Sequence, residues 1–196
     1  MIIIDDFVKD KRLLTKISHD PFFWSKGFHW WDGWWNTPIK SMRHELIDYI
    51  YRQHPMVNDI NISGFEHWVG IYSANDGKAQ ESWVVPGGGK YHLEPHIDKD
   101  EGLYSETGEL STPTIGTVFY PDPAIDESEG GYLQIWNTHE NNSNHPYELI
   151  QPKFNRLVIF DAGKLHAVQE VTKGVRKAIA INLWEQPLTK AKEMLS

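Results

Sequence analysis

His96 and Asp98 stand two residues apart in the stretch EPHIDKD, residues 94–100. In a β-strand, residues two apart point to the same face, so this pair could offer one nitrogen and one oxygen to a single metal ion. Two protein ligands hold a catalytic metal weakly, and a third is expected from a facing strand. His166, in FDAGKLHAV, is the candidate. Two imidazoles and one carboxylate on one face of an octahedron leave three positions open, the arrangement suited to non-haem Fe(II) that activates oxygen. The alternatives are plain. His92-x-Glu94 is a rival pair in the same stretch, and a lone histidine such as His166 is often a hydrogen-bonded structural residue.

Ten residues after His166 comes Arg176, in VTKGVRKAIAINLWEQ. As a strand, this segment places Arg176, Ala178, Ala180 and Asn182 on one face. Small side chains beside an inward arginine leave room for a ligand, and a guanidinium binds a carboxylate through two parallel hydrogen bonds. An exposed arginine on an edge strand is the competing reading.

These residues need a scaffold. At 196 residues, with 40% hydrophobic and 23% charged residues, the chain fits a single globular domain spanning 1–196. Cysteine is absent, so any metal must be held by nitrogen and oxygen. A net charge of −8 argues against a broad nucleic-acid interface. Asp5 and Asp6 interrupt the apolar run of MIIIDDFVKDKR, and no stretch approaches the ~20 apolar residues of a membrane span. A cytoplasmic protein with no membrane contact is expected.

A short strand over 2–7 and a helix over 8–18 open the chain. Residues 20–38 read as loop, and Ile39, Met42, Leu46, Ile47 and Ile50 give a second helix over 39–53, ended by Pro55. Residues 1–60 thus form a helical support. From about 65 to 188 come some eight short segments rich in β-branched and aromatic residues, among them HWVGIYSA, SWVV, TIGTVFY, GYLQIWN and RLVIFDA. The expectation is a mainly β protein, a double-stranded β-helix or jelly roll with N-terminal helices packed on its outer face. The acidic loop 122–131 and the polar loop 137–146 read as solvated connections of the kind that often rim a barrel mouth. Five of the nine tryptophans fall within residues 24–35. They read either as packing between helices and sheet or as a lid, binding wall or oligomer contact.

His96-x-Asp98, GTVFYPDPAIDESEGGYLQIW and PKFNRLVIFDAGKLHAVQEVTKGVRKAIAINLW together resemble the 2-oxoglutarate- and Fe(II)-dependent dioxygenases, and within them the prolyl 4-hydroxylase-like branch. The resemblance covers roughly residues 80–186. Its most specific elements are Gly130-Gly131-x-Leu133, Pro152-x-x-x-Arg156-Leu157 and the interval from His166 to Arg176. It implies that His96, Asp98 and His166 ligate Fe(II), and that Arg176 binds the distal carboxylate of 2-oxoglutarate with help from Tyr120. It also puts Asn182 near the metal end of the co-substrate and His92 and Glu94 among the neighbours near the mouth; Tyr91 is a further candidate, in a stretch, PGGGKYHLE, whose length differs from the family's usual approach to the motif.

The activity implied is hydroxylation of a C–H bond, foremost of a prolyl residue in a peptide or protein, with succinate and CO2 as co-products and ascorbate in support. A carboxylate at position 98 fills the site a halide would need and so favours hydroxylation over halogenation. Trp136 and Tyr132 are candidates for a substrate groove. The same chemistry on a free amino acid or small metabolite is one alternative, and a non-catalytic jelly-roll binding module is another.

Overall fold

The computed structural model describes residues 1–52, 61–82 and 89–194. Strand β1 (Ile2–Ile4) leads into helix α1 (Lys11–His19), then β2 (His29–Trp31), α2 (Met42–Arg52), β3 (Gly64–Ser73), β4 (Gln80–Ser82) and β5 (Gly89–His96). Helix α3 (Glu101–Thr107) follows, and then β6 (Ile115–Phe119), β7 (Glu129–Gly130), β8 (Leu133–Trp136) and β9 (Tyr147–Ile150). The chain closes with β10 (Leu157–Phe160), β11 (His166–Gln169), β12 (Val171–Lys173) and β13 (Val175–Trp184).

Two antiparallel sheets carry the architecture. The larger has the order β1-β10-β6-β13-β3-β2, and the smaller β4-β5-β11-β8-β9. Most sheet neighbours are far apart in sequence, as in a double-stranded β-helix; β2 and β3, β4 and β5, and β8 and β9 are the consecutive pairs. One apolar cluster joins Val118, Val158 and Ala178 of the large sheet to Leu133, Ile135 and Ile150 of the small one. A second joins the opposite face of the large sheet to the helices, through Leu14, Ile17, Leu46, Ile47 and Ile50.

Strand β13 shows how the sequence sorts the two faces. Ile179, Ile181 and Leu183 pack under the helices, while Arg176, Ala178, Ala180 and Asn182 face a cavity between the sheets. The period of two does this sorting. Burying each branched side chain stabilises the sheet–helix layer by about 1.5–3 kcal/mol.

Helix α1 begins where the Asp10 carboxylate accepts a hydrogen bond from the Arg12 N–H at 2.9 Å, so it starts three residues later than expected. Helix α2 starts at Met42, which leaves Ile39 outside it and exposed. Residue 53, Pro55 and most of SWVV lie outside the described residues. Residues 29–31, expected in a loop, form β2 and pair with β3 in the register His29↔His67, Trp30↔Glu66 and Trp31↔Phe65. Three consecutive aromatic rings offered no alternation with polar residues, so the strand was invisible to a period-two reading. The tryptophans of this region chiefly pack, with Trp30 and Trp31 buried.

Asn155 clamps the N-terminus to the sheet. Its Oδ1 accepts from the Val8 N–H (2.9 Å), its Nδ2 donates to the Val8 carbonyl (3.1 Å), and its φ is +58°. Arg156 donates to both Asp5 carboxylate oxygens at 2.6 and 3.0 Å. The Pro152-to-Leu157 motif therefore acts here by tying β1 to β10. No described helix is long and apolar enough to cross a membrane.

Candidate active site

His96 ends β5 and His166 begins β11, and the two residues are direct cross-strand partners. Between the pairs His166↔His96 and Val168↔Leu93 the register shifts, so two residues of β11 oppose three of β5. This bulge changes the parity of β5. As a result both Leu93 and His96, three apart, turn towards the cavities beside the site. Asp98 lies just past the strand end.

The three candidate ligand atoms come within 4.8 Å of one another. His96 Nε2 lies 3.3 Å from Asp98 Oδ1, and His166 Nε2 lies 3.5 Å from Asp98 Oδ2. Each imidazole has its other nitrogen engaged. His96 Nδ1 donates to the Glu94 carbonyl (2.7 Å) and His166 Nδ1 donates to the Lys164 carbonyl (2.8 Å). These bonds fix the tautomer that leaves both Nε2 lone pairs for a metal. Burial alone would raise the Asp98 pKa, but His166 and His96 hold the carboxyl well below its usual range. The donor set is thus two imidazole nitrogens and one carboxylate, which suits Fe(II).

Asn182 Nδ2 donates to Asp98 Oδ2 at 2.9 Å and restrains the carboxylate. It therefore lies beside Asp98 at one end of the cavity. At the far end is Arg176, only 3% exposed. Its Nε donates to the Gly131 carbonyl (3.0 Å) and one terminal nitrogen to the Tyr120 hydroxyl (3.2 Å). Gly131 is required for this contact. It sits at φ +66°, and a Cβ there would come within 2.9 Å of the arginine side chain. Tyr120 is fully buried. No carboxylate pairs with Arg176 among the described residues, so a buried cation faces the cavity without a counter-charge.

The same wall continues onto β3, paired with β13 as Tyr72↔Arg176, Gly70↔Ala178, Trp68↔Ala180 and Glu66↔Asn182, and the small sheet faces it with Leu93, Leu133 and Val168. Gly70, Ala178 and Ala180 leave the space between metal end and arginine open. The sequence reading missed the β3 wall, although the same period of two in EHWVGIY marks it. Trp68, Leu93 and Asp98 line both this narrow cavity and a wider outer groove, which also touches Phe28, Tyr104 and Leu110. Those last three are exposed. His139, Glu140 and Asn141, from the polar 137–146 loop, form part of the groove rim. Burial and the Asp98 charge push the Glu66 pKa up to about 7.

Other candidates lie elsewhere. His92 is held by Asp76 (Nε2 to Oδ1, 3.2 Å), and its Nδ1 accepts from the Val171 N–H (3.0 Å); it takes no part in the metal cluster. Glu94 contributes only its backbone carbonyl. The Tyr91 hydroxyl bonds Gln134 at 3.3 Å, and Tyr91 and Tyr132 line a different surface cavity. Trp136 is fully buried beside Tyr91, Leu165 and Ala167. Neither Trp136 nor Tyr132 forms the groove outside the metal cluster, because β8 directs them to the other side of the small sheet. The acidic 122–131 segment is a connection containing a 3-10 turn and β7.

The model of the 2OG-Fe(II) oxygenase superfamily matches residues 82–184. No curated protein matches the chain. Among solved structures, a prolyl-4-hydroxylase from Pseudomonas putida is similar with a TM-score of 0.60 at 12% identity, covering 94% of this chain and 87% of that one. A prolyl hydroxylase from Trichoplax adhaerens, in complex with a hypoxia inducible factor peptide fragment, is similar with a TM-score of 0.51 at 16% identity, covering 94% and 83%. The viral collagen prolyl hydroxylase of Paramecium Bursaria Chlorella virus-1, solved with 2OG, gives a TM-score of 0.50 at 16% identity, covering 93% and 94%. At these identities the likeness speaks for the fold, while the family match spans more than half the chain and takes in all of β5 to β13. The chain belongs to the 2OG-Fe(II) oxygenase superfamily and is an oxidoreductase with a double-stranded β-helix fold.

Proposed function

We propose that His96, Asp98 and His166 hold Fe(II), that Arg176 and Tyr120 bind the distal carboxylate of 2-oxoglutarate, and that the enzyme hydroxylates a prolyl residue of a peptide or protein. One observation carries this reading. A cavity too narrow for a bulky ligand has three metal-ligating atoms at one end and an unpaired buried guanidinium at the other. A short dicarboxylate with a 2-oxo group suits both ends. When bound, iron and 2-oxoglutarate supply the oxidising chemistry, with succinate and CO2 as co-products.

The chain's own residues perform the binding and positioning. The two histidines present Nε2 because their Nδ1 protons are committed to backbone carbonyls. Asn182 fixes the orientation of Asp98, and Tyr120 holds the Arg176 fork in place. Trp68, Leu93 and Phe160 line the cavity with apolar surface, which keeps water from the reacting centre. The outer groove supplies aromatic faces from Phe28, Trp68 and Tyr104 on which a prolyl ring can pack. An open groove of this kind fits a peptide better than a free amino acid or small metabolite.

The test is incubation with 2-oxoglutarate, Fe(II), ascorbate and oxygen across a panel of proline-containing peptides, with succinate measured and peptides weighed by mass spectrometry. We expect succinate release, accelerated by the peptides that gain one oxygen atom. Release of succinate with no peptide modified, but with a small amino acid oxidised, would move the substrate assignment to that alternative. No succinate under any condition would leave the binding-module reading.

A further inference from the structure

On the helix-facing side of the large sheet, opposite the wall that carries Glu66 and Trp68, lies a second cavity. It sits at the start of α2, between residues 20–25, the segment 39–45, His29 and His67. His67 is 1% exposed, and neither of its ring nitrogens has a hydrogen-bond partner among the described residues. His29 Nε2 is likewise buried and unpartnered. The two rings are cross-strand partners and stack with centroids 5.5 Å apart at 11°. A neutral imidazole carries one donor and one acceptor nitrogen, so His67, with neither nitrogen partnered, leaves a donor free beside the cavity that it lines.

The charge around the cavity says what that something is. Arg43, in the first turn of α2, is also buried. It donates to the Phe23 carbonyl (2.9 and 2.7 Å), to Ser25 Oγ (3.3 Å) and to the Ser25 carbonyl. All its partners are neutral, and no carboxylate forms an ion pair with it among the described residues. The N-terminal end of an eleven-residue helix adds positive potential at the same place, and Lys40 adds an ammonium at the rim. Burial, with the Arg43 charge second, lowers the pKa of both His29 and His67, which keeps the rings neutral around neutral pH. Water could satisfy the imidazoles, but it would leave the guanidinium with only the nearby charge of Asp20 and no direct ion pair. A metal cation would be repelled by that guanidinium and by the helix end.

We infer that this cavity is a binding site for a small oxyanion of the phosphate or carboxylate class, recognised by His67, His29, the Arg43 charge and the α2 N-terminus. Asp20 and Glu45 also border the cavity. Their charges favour a compact, singly charged anion over a polyanion. The bound anion ties the 20–25 segment to the sheet, and the site is separate from the metal cluster.

The test is equilibrium dialysis of radiolabelled inorganic phosphate against the anaerobic protein loaded with Fe(II) and saturating 2-oxoglutarate, at constant ionic strength set with chloride. Saturating 2-oxoglutarate keeps phosphate off the metal, and dialysis at two 2-oxoglutarate concentrations, both saturating turnover, checks that its carboxylates do not compete for the second cavity. We expect one saturable phosphate per chain, weakened at least tenfold by His67→Phe and several-fold by Lys40→Gln, with 2-oxoglutarate turnover retained in both variants. Absence of saturable binding to the unmodified protein overturns the proposal, and so does binding unchanged by His67→Phe. Should His67→Phe fail to fold, Lys40→Gln decides the matter, since Lys40 is exposed and its substitution leaves the core intact. Phosphate affinity indifferent to Lys40→Gln then counts against the site.

Discussion

Arg176 holds a position that stability alone does not explain. Among the described residues this buried guanidinium has a carbonyl, a hydroxyl and two tyrosine rings as partners but no carboxylate, and burying a cation without a counter-charge costs several kcal/mol. Arg176→Ala should therefore weaken 2-oxoglutarate binding by at least tenfold while leaving Fe(II) affinity within about twofold, a loss of more than about 1.4 kcal/mol by isothermal titration. Arg176→Lys should recover only part of it, because an ammonium lacks the planar fork. An unchanged co-substrate affinity in Arg176→Ala would remove that residue from the site. The residues of the cavity-facing row were readable because strand periodicity links Arg176, Ala178, Ala180 and Asn182 to a single face. Glu66, Trp68 and Tyr72 were not read, because their role depends on the pairing of β3 with β13, a contact between segments more than a hundred residues apart.

At the scale of elements, two devices position the site from outside. Asn155 adopts a left-handed conformation beside β10 and accepts and donates hydrogen bonds across to Val8. Asn155→Ala should destabilise the protein by on the order of 2 kcal/mol in urea unfolding, through lost buried hydrogen bonds and backbone strain. Asn155→Gly relieves the strain alone, so it should fall between Asn155→Ala and the unmodified protein. Equal stability of all three proteins would contradict the clamp.

The second device is the packing of α2. His44 stacks on Trp31 with ring centroids 4.4 Å apart, and burial, followed by the Lys40 charge, pulls its pKa down to about 4. Between that value and the ordinary 6.5 the unfolded chain binds a proton that the folded chain does not. Stability from this group is therefore complete above pH 6.5 and falls as the pH drops towards 4. Urea midpoints should decline across that window, and less steeply in His44→Phe, which keeps the stacked ring. An equally steep decline in His44→Phe would assign the acid sensitivity to other groups. Element type was largely legible in the strands with mixed polar and apolar residues. It was lost in FHWWDGWW, where unbroken aromatics hide β2, and at the β5 bulge, which only the register with β11 reveals.

For the whole molecule, the jelly-roll expectation rested on many short β-rich segments following a helical opening, and the two sheets with helices on the outer face of the larger one match it. What the sequence could not convey was how the faces are shared. One side of the large sheet carries the helices and the imidazole-lined cavity, and the other carries Arg176 and faces the candidate metal ligands of the small sheet. The strand pairing of His96 with His166 makes the convergence of the His96–Asp98 pair with the distant His166 a property of the fold itself. The groove beyond them draws Phe28 from the N-terminal segment, Tyr104 from α3 and His139 from the polar loop, so it is built from contacts that no single stretch of sequence announces.

The measurement that bears most directly on this account is anaerobic equilibrium dialysis of Fe(II) against the unmodified protein, Asp98→Ala and His166→Ala, with circular dichroism to verify folding. We expect one Fe(II) per chain in the unmodified protein and at least a hundredfold weaker binding in each variant. Tight, stoichiometric Fe(II) retained by folded Asp98→Ala and His166→Ala proteins would show that the metal is held elsewhere, and the assignment of the site would fail.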